Sequence, residues 1–138
     1  MSDVADNKRR RIAAFLQIAD EEIRAAETVA AFLPRQSAIF QQQGVEKLLR
    51  AVLEASDVPA EPTHNLCTLT DLLPADHAMR PTFLNFEEFS SAATRYRYPS
   101  GSGDAPNVPA NLVKSRQERL TALRDADVAF LQENADFG

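Results

Sequence analysis

Apolar side chains return at three- and four-residue steps through five successive stretches of this chain, and that α-helical period constrains the fold more than any other feature. From Asn7 to Leu33 the stripe is Ile12, Phe15, Leu16, Ile23, Val29 and Leu33, with Ala19, Ala26 and Ala30 filling the same side. Pro34 lacks a backbone donor and disfavours a helical Leu33, so this long amphipathic helix is predicted to end or bend there. A second helix is predicted over Gln36 to Ser56, with Ile39, Phe40, Val45, Leu48, Leu49, Val52 and Leu53 on one side and Gln42, Glu46 and Arg50 on another. Gly44 in mid-helix costs about 1 kcal/mol against Ala, which points to close approach by a neighbouring helix.

Pro59 and Pro62 make Ser56 to His64 a rigid connector. Leu66, Leu69, Leu72 and Leu73 then predict a short helix over Asn65 to Leu73, stopped by Pro74. From Pro81, the spacing of Phe83, Phe86, Phe89, Ala93 and Tyr96 predicts a fourth helix running to about Arg97. Pro99 to Pro109 holds three prolines, two glycines and two serines and is expected to be a flexible loop. Leu112, Leu120, Leu123, Val128, Phe130 and Leu131 mark a last, more charged helix, and residues 134–138 are expected to fray. Alternation of strand type is never sustained. The expected class is therefore all-α, an up-and-down antiparallel bundle of four to five helices forming a single domain over residues 1–138.

The chain's 138 residues, 44% of them apolar, suffice for one hydrophobic core. A formal net charge of -5 argues against general coating of nucleic acid, so any such contact needs a local basic patch. Cys67 is the sole cysteine and can complete neither an internal disulfide nor a zinc box, which suits a reducing, cytoplasmic setting. Lys8 to Arg11 begins like a signal peptide, but Gln17, Asp20, Glu21 and Glu22 interrupt the apolar run that would follow. Neither a signal peptide nor a membrane span is expected. Gly101-Ser102-Gly103 lacks the Lys and the flanking strand of a phosphate loop, and no cofactor is expected.

Several side chains can carry chemistry, each beside a plainer reading. His64, just before a helix, can fix its loop by capping or hydrogen bonding, or serve as a base or ligand contact. Glu46, Lys47 and Arg50 can bind a phosphate, the glutamate orienting the cations, or form a solvated face with an i,i+4 pair. Arg95, Tyr96, Arg97 and Tyr98 interleave cations that hold phosphate with rings that stack on bases. The alternative packs Tyr96 in the core and leaves the arginines near a helix C-terminus. Glu61 and His64 have the spacing of metal ligands on a helix, but Pro62 lies between them and no second pair exists, so no metal site is expected. Cys67, three residues from His64, reads as a small apolar packing residue.

Gln41, Gln42, Gln43, Gly44, Val45, Glu46, Lys47, Leu48, Leu49 and Arg50, followed by His64-Asn65-Leu66 and then Arg97-Tyr98-Pro99, resemble the HEPN domain family. There a helix of form Q-Q-x-x-E-K-x-L-[KR] precedes H-[DN]-L, and a later helix ends in R-Y-P. The likeness spans roughly Ile12 to Leu131. It implies a helical bundle, usually a homodimer, linked to nucleotide or RNA binding and often paired with a minimal nucleotidyltransferase in a toxin-antitoxin-like couple. Some members of the wider family are metal-independent ribonucleases with an Arg four to six residues ahead of a His. Here those positions hold Asp57, Val58 and Pro59 before His64, and Thr70, Asp71 and Leu72 before His77.

Three readings follow. The first is a HEPN-type nucleotide- or RNA-binding or regulatory module, contacting its ligand through Glu46, Lys47, Arg50, His64 and Arg95 to Tyr98, with no catalytic residue assigned. The second is a degenerate ribonuclease in which His64 meets Arg95 or Arg97 across the bundle or dimer. The third is a helical dimerisation protein without a ligand.

Overall fold

The computed structural model describes residues 2–59 and 61–134. Among them the chain is all-α, with α1 (Ser2–Val29), α2 (Pro34–Ala55), α3 (Leu66–Asp71), α4 (Arg80–Leu84), a 3-10 helix (Glu87–Ala93) and α5 (Ala110–Asn134). The tail expected to fray lies outside the described residues except for Asn134, the last residue of α5.

Pro34 occupies the first turn of α2, where a missing donor costs no hydrogen bond. The reversal before it is tight: Leu33 N donates to Val29 O at 2.7 Å and Ser37 N to Leu33 O at 2.9 Å. α1 and α2 therefore run antiparallel, stitched by Ser37 Oγ donating to Ala26 O at 2.7 Å and by Lys47 beside Glu22 at 3.4 Å. α5 lies against both. Gln41 Nε2 donates to Val113 O at 2.9 Å, and Arg124 pairs with Asp20 at 2.9 Å. These contacts run α5 parallel to α2 and antiparallel to α1. The strict alternation expected of an up-and-down bundle thus fails between α2 and α5, because residues 56–109 carry the chain back along the bundle first.

Gly44 sits where the three long helices meet. A Cβ there would lie 3.2 Å from Ile23 Cγ1 and 3.5 Å from Leu120 Cδ2, so the close crossing expected from its sequence position is present. Around it, Val45, Leu48, Leu49, Val52 and Leu53 pack with Ala19, Leu120 and Leu123 and with residues of the short helices. Toward the start of α2, Ala38 and Ile39 pack with Ala92, Tyr96, Val108 and Val113. At its other end, Ala51 meets Ile12 and Leu131. Val108 thereby anchors the otherwise irregular stretch from Pro99 to Pro109.

The predicted fourth helix is not continuous. α4 stops at Leu84, the next regular element is 3-10, and Thr94 to Arg97 form turns. Phe83, Phe86, Phe89 and Ala92 are all buried, and they recur every three residues. A step of three keeps side chains in line on a helix of three residues per turn, whereas on an α-helix they drift round the axis. Arg116 and Arg119 of α5 lie over Phe89 and Phe86, at 4.9 and 5.0 Å from the ring centroids, and Arg119 also pairs with Glu88 at 2.6 Å. No helix among the described residues is long and apolar enough to cross a membrane.

Candidate functional site

The polar face of α2 is not solvated. Gln41, Gln42 and Glu46 are buried, because the segment from Glu61 to Asn65 folds back over one side of the helix and α5 covers the other. Glu46, its side chain 3% exposed, receives Arg50 Nε on Oε2 and His64 Nδ1 on Oε1, both at 2.9 Å. Gln42 Nε2 donates to Glu46 Oε1 at 3.4 Å and to His64 O at 3.2 Å. Arg50 Nη2 reaches Thr63 O at 2.7 Å and Glu61 O at 3.2 Å. Burial alone would push the Glu46 carboxyl up, but Arg50, His64 and Lys47 together hold it below the ordinary carboxylate value.

This network latches the loop to α2. The latch continues through Asn65, whose side chain caps α3 by accepting from Thr68 N at 3.1 Å, and through Leu66 N, which donates to Ser90 Oγ at 3.0 Å. Lys47 turns away from it toward Glu22, a carboxyl raised by burial against the opposing pull of Lys47. Of Glu46, Lys47, Arg50 and His64, only His64 is open to solvent, with its side chain 75% exposed. The structure therefore brings Glu46, Arg50 and His64 together and commits the first two to internal bonds.

Arg95 to Tyr98 lie elsewhere. Tyr96 is buried at 7% and packs with Ile39, while Glu46 is two turns further along α2, about 10 Å by helical rise. Tyr96, expected among the ligand contacts, has its ring in the core and no face free for a base. Tyr98 is 64% exposed. Arg95 lies beside the Tyr96 ring, 5.8 Å from its centroid, and Arg97 is exposed. A cation that the sequence reading missed joins them: Arg35 Nη1 donates to Tyr96 O at 3.0 Å. Nothing in the sequence signals this, since the pairing spans 61 positions. Among the described residues, no ion pair joins Arg35, Arg95 or Arg97 to a carboxylate.

His77 forms the other polar contact of note. Its Nδ1 accepts from Met79 N at 3.0 Å, so Nε2 carries the proton and donates to Ser56 Oγ at 2.9 Å. An imidazole in that tautomer cannot deprotonate the serine, and burial pushes its pKa down from 6.5. The pair joins the end of α2 to the connector before α4 and supplies no nucleophile.

A cleft between the end of α1 and the start of α5, where Ala30, Ala31 and Ala110 are bordered by polar side chains including Glu27, Lys114 and Glu118, contains none of the candidate residues. No group of three or more His, Cys, Asp or Glu among the described residues is placed to hold a metal ion. No family model, curated protein or solved structure matches the chain.

Proposed function

We propose that this chain is a binding module for RNA, and that Arg35, Arg95, Arg97 and Tyr98 form its contact surface. The observation that carries the reading is that Arg35, bonded to Tyr96 O, and Arg95, over the Tyr96 ring, flank the exposed Arg97 and Tyr98, and that among the described residues none of the three arginines is ion-paired to a carboxylate, on a chain of net charge -5. Arginines left unpaired in an acidic protein repel no anionic ligand locally, and their forked donors fit phosphate oxygens. Tyr98 offers a face for an unstacked base. Tyr96, fixed in the core, holds the segment in place, so little ordering is required on binding. The HEPN-like motifs support the same assignment and extend it to a nucleotidyltransferase partner.

Fluorescence anisotropy of a labelled single-stranded RNA at low salt tests it. Binding is expected, with log K falling against log salt at a slope of about -2 if three phosphates are neutralised. Arg97→Glu and Arg35→Glu should each reduce affinity about tenfold or more, consistent with lost charge-assisted contacts. Binding unaffected by both substitutions would refute the surface, and no binding at low salt would refute the function. Competition by a mononucleotide at matched phosphate concentration would narrow the ligand to the smaller species.

A second reading rests on His64, whose ring is held at Nδ1 by a buried carboxylate and is otherwise exposed. A ring so oriented is suited to proton transfer at Nε2. This reading predicts metal-independent RNA cleavage, measured in EDTA, that disappears in His64→Ala. Intact RNA at high protein concentration would remove it.

A further inference from the structure

α1 and α5 close on each other at two levels and stand apart beyond them. Arg124 pairs with Asp20 at 2.9 Å, and nearer the end of α1 Gln117 Nε2 reaches across to Ile23 O at 3.2 Å while its Oε1 accepts from Gln41 Nε2 at 3.1 Å. One turn past that bridge, Glu27 of α1 and Lys114 of α5 stand level, because the helices run antiparallel. Both border the cleft, yet they do not close on each other as Asp20 and Arg124 do. Further along, the lining residues are Ala30, Ala31 and Ala110, whose methyl groups leave the gap unfilled. Its volume is about 640 Å³, a size suited to a small molecule. Glu118, one turn from Lys114 on the same helix, adds a second carboxylate to the border. Glu27, Lys114 and Glu118 are exposed, and none makes an ion pair among the described residues.

The geometry points to this cleft as a binding site for a free α-amino acid with a large apolar side chain. The ligand's carboxylate pairs with Lys114, its ammonium with Glu27, and its side chain lies on the methyl groups of Ala30, Ala31 and Ala110. Opposite charges that face each other across a gap are both matched only by a ligand that carries both signs itself. A plain carboxylic acid would set its charge beside Glu27 and Glu118, and a plain amine would set its cation beside Lys114. Covering the alanine floor supplies the affinity, and the two exposed charge pairs supply the selectivity. The remaining polar groups do not compete for the ligand. The Gln117 carboxamide is bonded at both ends, and Thr121 Oγ1 donates to Gln117 O at 3.1 Å. The site shares no residue with the surface proposed for RNA, and the inference does not rest on that reading.

Isothermal titration calorimetry of the full chain with L-phenylalanine and L-leucine tests it. The controls are 2-phenylethylamine, which lacks the carboxylate, 3-phenylpropanoate, which lacks the ammonium, and glycine, which keeps both charges without the side chain. One amino acid is expected to bind per chain, with each control about tenfold or more weaker than L-phenylalanine. Lys114→Met should bring the affinity for L-phenylalanine down to that for 2-phenylethylamine, and Glu27→Gln should bring it down to that for 3-phenylpropanoate. Ala110→Leu, which fills the cleft, should abolish binding of every compound. All three positions are exposed, and circular dichroism of each variant confirms the helical fold. No heat of binding with either amino acid at millimolar concentration would overturn the proposal. So would controls that bind as tightly as L-phenylalanine, or binding that survives unchanged in the Lys114, Glu27 or Ala110 variants.

Discussion

Two buried carboxylates show how far the surroundings of a residue decide its effect. Glu46 accepts from a guanidinium, an imidazole and an amide, so its charge is matched inside the protein. Removing it in Glu46→Ala leaves Arg50 with a lost partner and frees the loop, and unfolding in urea should show a loss of about 3 kcal/mol. Glu46→Gln, which keeps one acceptor, should cost less. Asp127 is the converse: it is fully buried, both carboxyl oxygens lack a hydrogen-bond partner, and burial pushes its pKa well above the ordinary 3.8. It interrupts the inner stripe of α5 between Leu123 and Leu131. Asp127→Leu is therefore expected to stabilise the fold by about 1–3 kcal/mol, the usual cost of an unsatisfied buried polar group.

At the level of elements, α2 is the axis of the molecule and the short helices are its fittings. α3 has only six residues and cannot persist alone, so its cap and its bond to Ser90 hold it in place. Asn65→Ala should cost about 1 kcal/mol, read as a lower urea midpoint with an unchanged slope. The crossing at Gly44 leaves no room for a long side chain, and Gly44→Leu should destabilise by about 1–3 kcal/mol through overpacking. A smaller effect would mean that α1 and α5 can separate there at little cost. The helical spans of α1 and α2 were legible because each carries an apolar stripe at a regular step, whereas in α5 Arg116 and Asp127 break the buried stripe of Val113, Leu120, Leu123 and Leu131. The 3-10 helix was not, because Phe83, Phe86 and Phe89 fit a three-residue and a mixed three-to-four-residue period almost equally over so short a run.

For the whole molecule, opposing shifts shape the dependence of stability on pH. His77 is held neutral and below 6.5 by burial, so the unfolded chain binds its proton more readily and stability is lost as pH falls through 6.5 toward the folded value. The Glu88 carboxyl is held below 4.5 by Arg119, and Glu46 also lies below that value, so their contributions are present above 4.5 and lost as pH falls through the folded values. Asp127 acts the other way: the folded state keeps its proton, and stability falls as pH rises above 3.8 toward the folded value. Melting temperatures recorded against pH should show the advantage of Asp127→Leu over wild type growing as pH rises. The deficit of His77→Asn should shrink as pH falls below 6.5. Parallel curves for wild type and either variant would contradict the corresponding shift.

The sequence by itself determined the all-α class, the presence of the three long helices and the close approach at Gly44, because helical periodicity and backbone chemistry are local. The Q-Q-x-x-E-K-x-L-R and H-N-L motifs could be recognised there as well, but not what their side chains do. Only tertiary structure decided that Glu46 and Arg50 close a loop rather than face solvent, that Tyr98 and not Tyr96 is available, and that Arg35 joins the arginines of a distant turn. Those outcomes depend on which segment folds over which face, and burial, desolvation and pairing across tens of residues leave no periodic trace in the chain.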